Sequence, residues 1–131
     1  MTQEDKELLI KDLCSRLSYG VKVKLGDNPN IFDLEYRIKF AVMYGDSDKL
    51  EDILDITNIK PYLFPLSSMT DEQKKELDDT LISLSLKSLS DEISSEVIAT
   101  YEIDFYNKNH FDYRGLIPKG LAIDATGKNI Y

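Results

Sequence analysis

The segment FYNKNHFDYRGLIPKGLAID, residues 105–124, concentrates residue types that are scarce elsewhere in the 131-residue chain. It holds four aromatic residues, the single histidine, two of the six glycines and one of the four prolines. Its glycines permit backbone conformations closed to other residues, and its proline removes freedom from the unfolded chain. Its apolar side chains are too many to leave in water: Phe111, Tyr113, Leu116, Ile117, Leu121 and Ile123. The segment is therefore predicted to be an ordered structural clamp.

Order is expected to extend to about residue 124, because the following ATGKN, residues 125–129, is typical of a loose end. Three basic residues, Lys108, Arg114 and Lys119, give the end of the chain a mild positive excess. The middle of the chain is acidic, with five basic and fifteen acidic residues between positions 46 and 105. We expect the basic groups of the clamp to face this acidic middle.

The chain is expected to form a single domain over residues 1–131, since 42% hydrophobic and 31% charged residues are typical of a globular protein of this size. Its first residues carry charges of both signs, and no apolar run approaches the roughly 18 residues of a membrane span. These features predict a cytoplasmic protein with no membrane partner. Cys14 is the only cysteine, which excludes an internal disulfide. We expect it to lie buried on the apolar side of the first helix.

Residues 3–17 predict an amphipathic helix, with Leu9, Leu13 and Leu17 at a spacing of four. Thr2 can cap its first turn, and Gly20 follows its end. Alternation at Val21, Val23 and Leu25 then predicts a strand, followed by turn residues at 26–30.

Alternation is clearest over residues 32–44, which predict a long or bulged strand pairing antiparallel with the first. Its core-facing side chains are expected to be those of Tyr36, Ile38, Phe40 and Val42. The alternating charged residues between them, Arg37 and Lys39, are expected to lie in solvent.

The second half of the chain mixes clear and ambiguous signals. Residues 48–59 fit either a short helix or a third strand, and residues 60–65, with two prolines, predict an irregular segment packed over a core edge. Thr70 and Gln73 form a capping box that starts a helix near residue 71. A second helix start at Ser90 favours a helix over 97–105 that ends near 107–109, although a strand also fits. Together these elements predict an α+β fold in which a small antiparallel sheet is covered on one face by the N-terminal helix and later helices.

The chemistry-bearing residues cluster in the clamp, and five are candidate binding residues: His110, Asp112, Tyr113, Arg114 and Lys119. General acid–base chemistry needs geometry that sequence adjacency does not establish, and a single histidine after a helix is more often a capping or packed residue. The chain has no HExxH, CxxC, P-loop or GxGxxG motif, and the acidic residues from 46 fail the calcium-loop pattern at its sixth and twelfth positions. No catalytic residue, metal ligand or cofactor is predicted.

Two segments, KNHFDYRGLIPKGLA at 108–122 and IKPYLFPLSSMT at 59–70, resemble a family of short uncharacterised proteins from intestinal anaerobic bacteria and their phages and prophages. The opening residues 2–14 and 19–23 fit the same family. The resemblance implies a genomic context linked to phages or mobile elements. It implies no activity and no site residues.

These observations favour a non-enzymatic accessory protein that acts by binding another protein. Acidic charge in the middle disfavours contact with nucleic-acid phosphates, which requires clustered Lys and Arg. Two alternatives remain open, a small enzyme using His110 and Arg114, and an inhibitor whose acidic surface imitates DNA.

Overall fold

The computed structural model describes residues 1–44 and 56–131, except for the side chains at 40–42 and 44. The helices in these ranges are α1 (Gln3–Arg16), α2 (Leu34–Tyr44), α3 (Asp71–Leu89) and α4 (Ser95–Lys108). The strands are β1 (Lys22–Leu25), β2 (Phe32–Asp33), β3 (Ile59–Leu63) and β4 (Ile123–Asp124). Short 3₁₀ turns cover Leu17–Tyr19, Ile56–Asn58 and Leu66–Ser68.

The strands form one small sheet in the order β2-β1-β3-β4. β1 pairs antiparallel with β2 through Val23 and Phe32, and antiparallel with β3 through Leu25 and Ile59. β4 pairs parallel with β3, with Tyr62 opposite Ile123. The prediction of an α+β fold with a small sheet is confirmed; the sheet was predicted to be antiparallel, and it is so except for the parallel pair of β3 and β4.

Helix α1 begins as its sequence predicts. The Thr2 hydroxyl accepts the Asp5 backbone N–H at 3.1 Å, and the Asp5 carboxylate accepts the Thr2 N–H at 3.4 Å. The prediction for Cys14 is wrong, because this thiol is exposed. The buried stripe of α1 runs through Leu9, Asp12, Leu13 and Arg16. Two charged residues occupy positions on that stripe, and this turns Cys14 away from the core.

Residues 34–44 form helix α2, so the predicted long strand over 32–44 is wrong beyond Asp33. The Asp33 side chain accepts the Tyr36 backbone N–H at 3.1 Å and caps the helix. This hydrogen bond is the main cause that lowers the pKa of Asp33. Leu34 and Ile38 lie four residues apart and pack in the core, a spacing that suits a helix as well as the observed alternation suits a strand.

The predicted face of this segment changes with its structure. Tyr36 is 70% exposed, which contradicts its assignment to the core, whereas Ile38 does pack against the core. Lys39 is exposed as expected and pairs with Glu35 one turn earlier, at 3.1 Å. Arg37 is half-buried, contrary to its expected exposure. The predictions for the Phe40 and Val42 side chains fall outside the described part of the structure.

Strand β3 corrects the prediction for residues 60–65. Ile59–Leu63 is an inner strand of the sheet with Pro61 at its centre, rather than an irregular cover over a core edge. Pairing with β1 uses residues 59–61, and pairing with β4 begins only at Tyr62. Pro61, which has no backbone N–H, therefore lies where the pairing of β3 with β1 ends and its pairing with β4 begins. Of the open segment 48–59, residues 56–58 form a 3₁₀ turn, Ile59 begins β3, and the earlier part lies outside the described residues.

Helices α3 and α4 confirm two sequence signals. The Thr70 hydroxyl accepts the Gln73 N–H at 3.1 Å, and the Gln73 side chain accepts the Thr70 N–H at 2.9 Å, which completes the predicted capping box. Residues 97–105 are helical, within α4. This helix begins at Ser95 rather than near Ser90, because Ser90 ends α3 instead of starting the next helix.

The C-terminal segment contributes to both parts of the core, as predicted. Leu116, Leu121 and Ala122 pack in a cluster with residues of α1, β1 and β3. Phe111 packs in a second cluster with Leu77 and Phe105, from α3 and α4. The contacts continue beyond Asp124, since Ala125 is 1% exposed and its N–H donates to the Leu63 carbonyl. Residues 105–125 therefore join the sheet to both later helices.

Candidate functional site

His110 ends helix α4 in a left-handed conformation, with a φ of 61°. Its N–H donates to the Asn107 carbonyl, and the next N–H, of Phe111, donates to the Tyr106 carbonyl at 2.9 Å. This pair of bonds is the Schellman motif, in which glycine usually occupies the position of His110. The interpretation of His110 as a helix-end residue is confirmed. This structural role accounts for the position of the histidine without a catalytic role.

Asp112 shapes the turn that follows. Its two carboxylate oxygens accept the backbone N–H groups of Leu116 and Ile117, at 2.8 and 2.9 Å. Gly115, inside this turn, has a φ of 73°, a conformation that costs glycine little. Asp112 is 7% exposed, so this carboxylate holds backbone and presents little of itself to a ligand.

Arg16, Asp12 and Arg114 form an ionic network between α1 and the C-terminal segment. The Arg16 Nε donates to Asp12 Oδ2 at 2.8 Å, and Arg114 Nη1 donates to Asp12 Oδ1 at 2.9 Å. Arg16 also donates to the Phe111 carbonyl at 2.6 Å, and Arg114 to the Ser15 hydroxyl at 2.9 Å. Asp12 and Arg16 are completely buried. The expectation that Arg114 faces the acidic middle is wrong, because its carboxylate partner is on α1.

Tyr113 lies between these cations and helix α4. The guanidinium carbons of Arg16 and Arg114 are 5.1 and 4.6 Å from the centre of its ring, within cation–π range. The ring also stacks on Tyr106, with centres 5.5 Å apart. Lys119 is exposed and belongs to none of these contacts. The structure thus brings four of the five candidate residues into the packing of the clamp and leaves Lys119 outside it.

Tyr131 inserts its hydroxyl into the ladder between β1 and β3. The hydroxyl accepts the Lys22 N–H at 2.9 Å and donates to the Tyr62 carbonyl at 2.8 Å. Lys22 and Tyr62 are the next pair after Val23 and Pro61 in the antiparallel register. The phenol therefore bridges two strands where a direct ladder bond would otherwise form. The residue as a whole is 41% exposed, but burial of the phenol raises its pKa to about 12.

Replacing Tyr131 by Phe is expected to destabilise the fold by about 1–2 kcal/mol, because Lys22 N–H and Tyr62 C=O each lose a partner. Chemical denaturation of both proteins measures the difference. Tyr36→Phe is the control, since Tyr36 is 70% exposed and its hydroxyl is expected to contribute little. Equal stability of Tyr131→Phe and the parent protein would show that the strands close directly without the phenol.

The His110 ring stacks on the Tyr131 ring, with centres 3.6 Å apart. Burial, assisted by the positive charges of Arg16 and Lys22, lowers the pKa of His110 to about 4. At neutral pH the imidazole is therefore uncharged. Within the described residues its Nδ1 has no protein hydrogen-bond partner, and the same holds for the Tyr113 hydroxyl and for Nη1 of Arg16. Ordered water is the expected partner of such buried polar atoms.

The fold should lose stability as pH falls from about 6.5 to about 4. In this range the unfolded chain protonates His110 while the folded chain resists it, so proton uptake favours unfolding. A His110→Asn variant tolerates the left-handed backbone and does not titrate. Its denaturation midpoint should fall less steeply between pH 6.5 and pH 5 than that of the parent. Parallel pH profiles would rule out this role for His110.

A separate apolar surface lies on helix α3. Ile82, Leu86 and Leu89 are 60%, 63% and 82% exposed, at the i, i+4 and i+7 positions of one helical face. We call these three residues the outer patch. The opposite face of α3 supplies Leu77 and Leu81 to the core. Helix α3 is therefore apolar on two faces, one that packs in the core and one that is exposed.

The sequence contains a signal for this second apolar face. The run LISLSLKSL, residues 81–89, contains five aliphatic residues in nine, more than one buried face requires. The serines within it weaken the helix pattern and hide the second stripe. The sequence instead pointed to residues 110–119, where unusual residue types serve the fold.

Carboxylates flank the outer patch at both ends. Asp78 and Asp79 lie one turn before Ile82, and Asp91 and Glu92 follow shortly after Leu89, all exposed. Residues 71–108, the α3–α4 hairpin, contain ten acidic and four basic residues, a net charge of −6. The patch is thus an apolar strip within a negative field.

Over residues 1–44 and 56–131, no group of three or more His, Cys, Asp or Glu side chains is arranged to hold a metal ion. In the same ranges, no helix is both long and apolar enough to cross a bilayer. Comparisons with known proteins found no matching family model, no matching curated protein and no matching solved structure.

Proposed function

We propose that the protein is a non-enzymatic accessory protein that acts by binding another protein through the outer patch of α3. The observation that carries the proposal is the exposure of Ile82, Leu86 and Leu89 on a helix whose opposite face already packs in the core. Covering these side chains would contribute roughly 3–6 kcal/mol before the costs of association. On the basis of the sequence alone, the proposal also includes a cytoplasmic location and a link to phages or mobile elements.

The contacts of the clamp favour binding over the enzyme alternative. Arg114 donates to Asp12 and Ser15, and His110 stacks on Tyr131 while ending a helix. Both residues thus have structural roles that account for them. The hairpin's net charge of −6 suits an imitation of DNA, but three exposed aliphatic side chains among the carboxylates have no counterpart in a phosphate backbone.

The proposal is tested by placing a photo-crosslinking amino acid at Ser85, an exposed position beside Leu86, in cells that naturally make the protein. A discrete protein adduct is expected from this position. Adding Leu86→Gln should abolish the adduct, and the same crosslinker at exposed Glu7 on α1 should not form it. Identical adducts from positions 85 and 7, or an adduct indifferent to Leu86→Gln, would contradict the proposal.

A further inference from the structure

We infer that the outer patch receives an amphipathic α-helix of another protein whose apolar stripe is bordered at both ends by Lys or Arg. The inference rests on the proposed binding role of the patch and adds the chemistry of its partner. Three features support it: the shape of the patch, the charge around it and the charge conflict that a second copy would meet.

The patch has the shape of one side of a helix–helix contact. From Ile82 to Leu89 it rises about 10 Å along the helix axis. Ser83 and Ser85, exposed beside these aliphatic side chains, are small. Small flanking residues allow a second helix to approach to the usual 8–10 Å between axes. A partner with apolar residues at the same i, i+4, i+7 spacing would cover the patch.

The carboxylates around the outer patch indicate that the partner helix is positively charged. Asp78 and Asp79 precede the patch, and Asp91 and Glu92 follow it, so carboxylates lie near both ends of any helix that covers the patch and is aligned with α3. Lys75, one turn earlier, lies four residues from both Asp71 and Asp79, where it offsets only part of their charge. Lys or Arg at both ends of the partner's stripe would complement this field.

A second copy of the same chain fits less well. Antiparallel pairing of two α3 helices on their patches would bring Asp78 and Asp79 of one copy to the end of the other helix, near Asp91 and Glu92. Parallel pairing would set Asp78 and Asp79 against their own equivalents. Both arrangements oppose like charges, and the net charge of −8 for the chain adds to the repulsion.

The test uses three designed helical peptides that share one leucine stripe and carry Lys, Gln or Glu at the polar positions beside it. Binding to the full-length protein is measured by fluorescence anisotropy. The Lys peptide should bind at least about tenfold more tightly than the Gln peptide, and the Glu peptide most weakly. Raising the salt from about 0.05 M to about 0.5 M should reduce the difference between the Lys and Gln peptides, because it screens the charges.

Variants separate the two sources of binding. Leu86→Gln should weaken the Lys and Gln peptides alike, whereas Asp78→Asn with Asp79→Asn should weaken the Lys peptide and spare the Gln peptide. Tyr36→Gln, on the exposed side of α2, is the matched control and should change neither. A Lys peptide with its leucines replaced by Gln measures attraction by charge alone, and it should bind at least about tenfold more weakly than the parent Lys peptide.

The outcomes distinguish this inference from the proposed function. Equal binding of the Lys and Gln peptides, sensitive to Leu86→Gln, would overturn the basic partner and leave protein binding at the patch intact. If no peptide shows binding that depends on Leu86, the inference is overturned. If the crosslinker at position 85 also forms no adduct in cells, the proposed function is overturned as well. A dimer in sedimentation that Leu86→Gln dissociates would assign the patch to a second copy and also overturn the inference.

Discussion

Removing residues 110–131 is expected to leave a chain that does not unfold cooperatively. The truncation deletes Phe111, Leu116 and Leu121, which are 2%, 0% and 5% exposed. Burial of these three side chains contributes roughly 5–9 kcal/mol, comparable to the whole stability of a small domain. It also deletes strand β4 and the Phe111 carbonyl that Arg16 requires. Thermal unfolding followed by near-ultraviolet circular dichroism should show no sharp transition.

A single substitution serves as the milder form of the same experiment. Phe111→Ala in the full-length chain should cost about 3–5 kcal/mol, because the ring fills a core cluster shared with Leu77 and Phe105. A truncated protein that melts sharply near the parent temperature would show that the segment is not a structural clamp.

Replacing Asp12 by Asn is expected to destabilise the protein by about 3–5 kcal/mol. The buried Arg16 guanidinium would lose its carboxylate charge, and because the Asn amide keeps only one acceptor oxygen, its NH2 group would face either Arg16 or Arg114. A buried charge without its partner is costly in this range. Arg114 would lose its ion pair with α1 and keep its hydrogen bond to the Ser15 hydroxyl. Equilibrium denaturation in urea measures the change in the free energy of unfolding.

Two controls define the cause. Glu35→Gln breaks an exposed ion pair with Lys39 and should cost no more than about 1 kcal/mol. Asp12→Leu combined with Arg16→Met removes both buried charges and should cost less than Asp12→Asn alone. A loss below about 1 kcal/mol for Asp12→Asn would mean that the buried pair contributes no more than an exposed one.

Local signals in the sequence predicted the starts of α1 and α3 and the end of α4, but not the start of α4 at Ser95. The capping boxes at Thr2 and Thr70 involve residues three positions apart, so the sequence contains the whole interaction. The close of α4 near Asn109 was predicted for the same reason, since the pattern breaks where the helix does. The burial of the clamp's apolar side chains could also be predicted, because so many of them are unfavourable in water.

The segment 32–44 shows why other elements could not be predicted. Its residues fit a period of two and, through Leu34 and Ile38, a period near four. The helix is favoured because Asp33 caps its first turn and because Leu34 and Ile38 pack in the core. The sequence also could not show that β3 would take an inner place, because its neighbours come from residues about 35 positions before it and 60 after it.

The candidate site failed to emerge from the sequence for a related reason. The single histidine and the cluster of polar residues around it attract a functional interpretation, yet His110 ends a helix in a left-handed conformation and Asp112 holds a tight turn. The partner of Arg114 lies 102 residues away, on α1. Common residues such as Leu86 gain interest only once the structure shows which face of α3 is already in use.

The central claim, that the outer patch is kept for binding and not for folding, is tested most directly by one stability measurement. Ile82, Leu86 and Leu89 are replaced together by Gln, which keeps helix propensity close to that of the parent. The free energy of unfolding in urea should stay within about 0.5 kcal/mol of the parent value, as for exposed positions. A loss of several kcal/mol would show that the patch belongs to the core, and it would contradict the account.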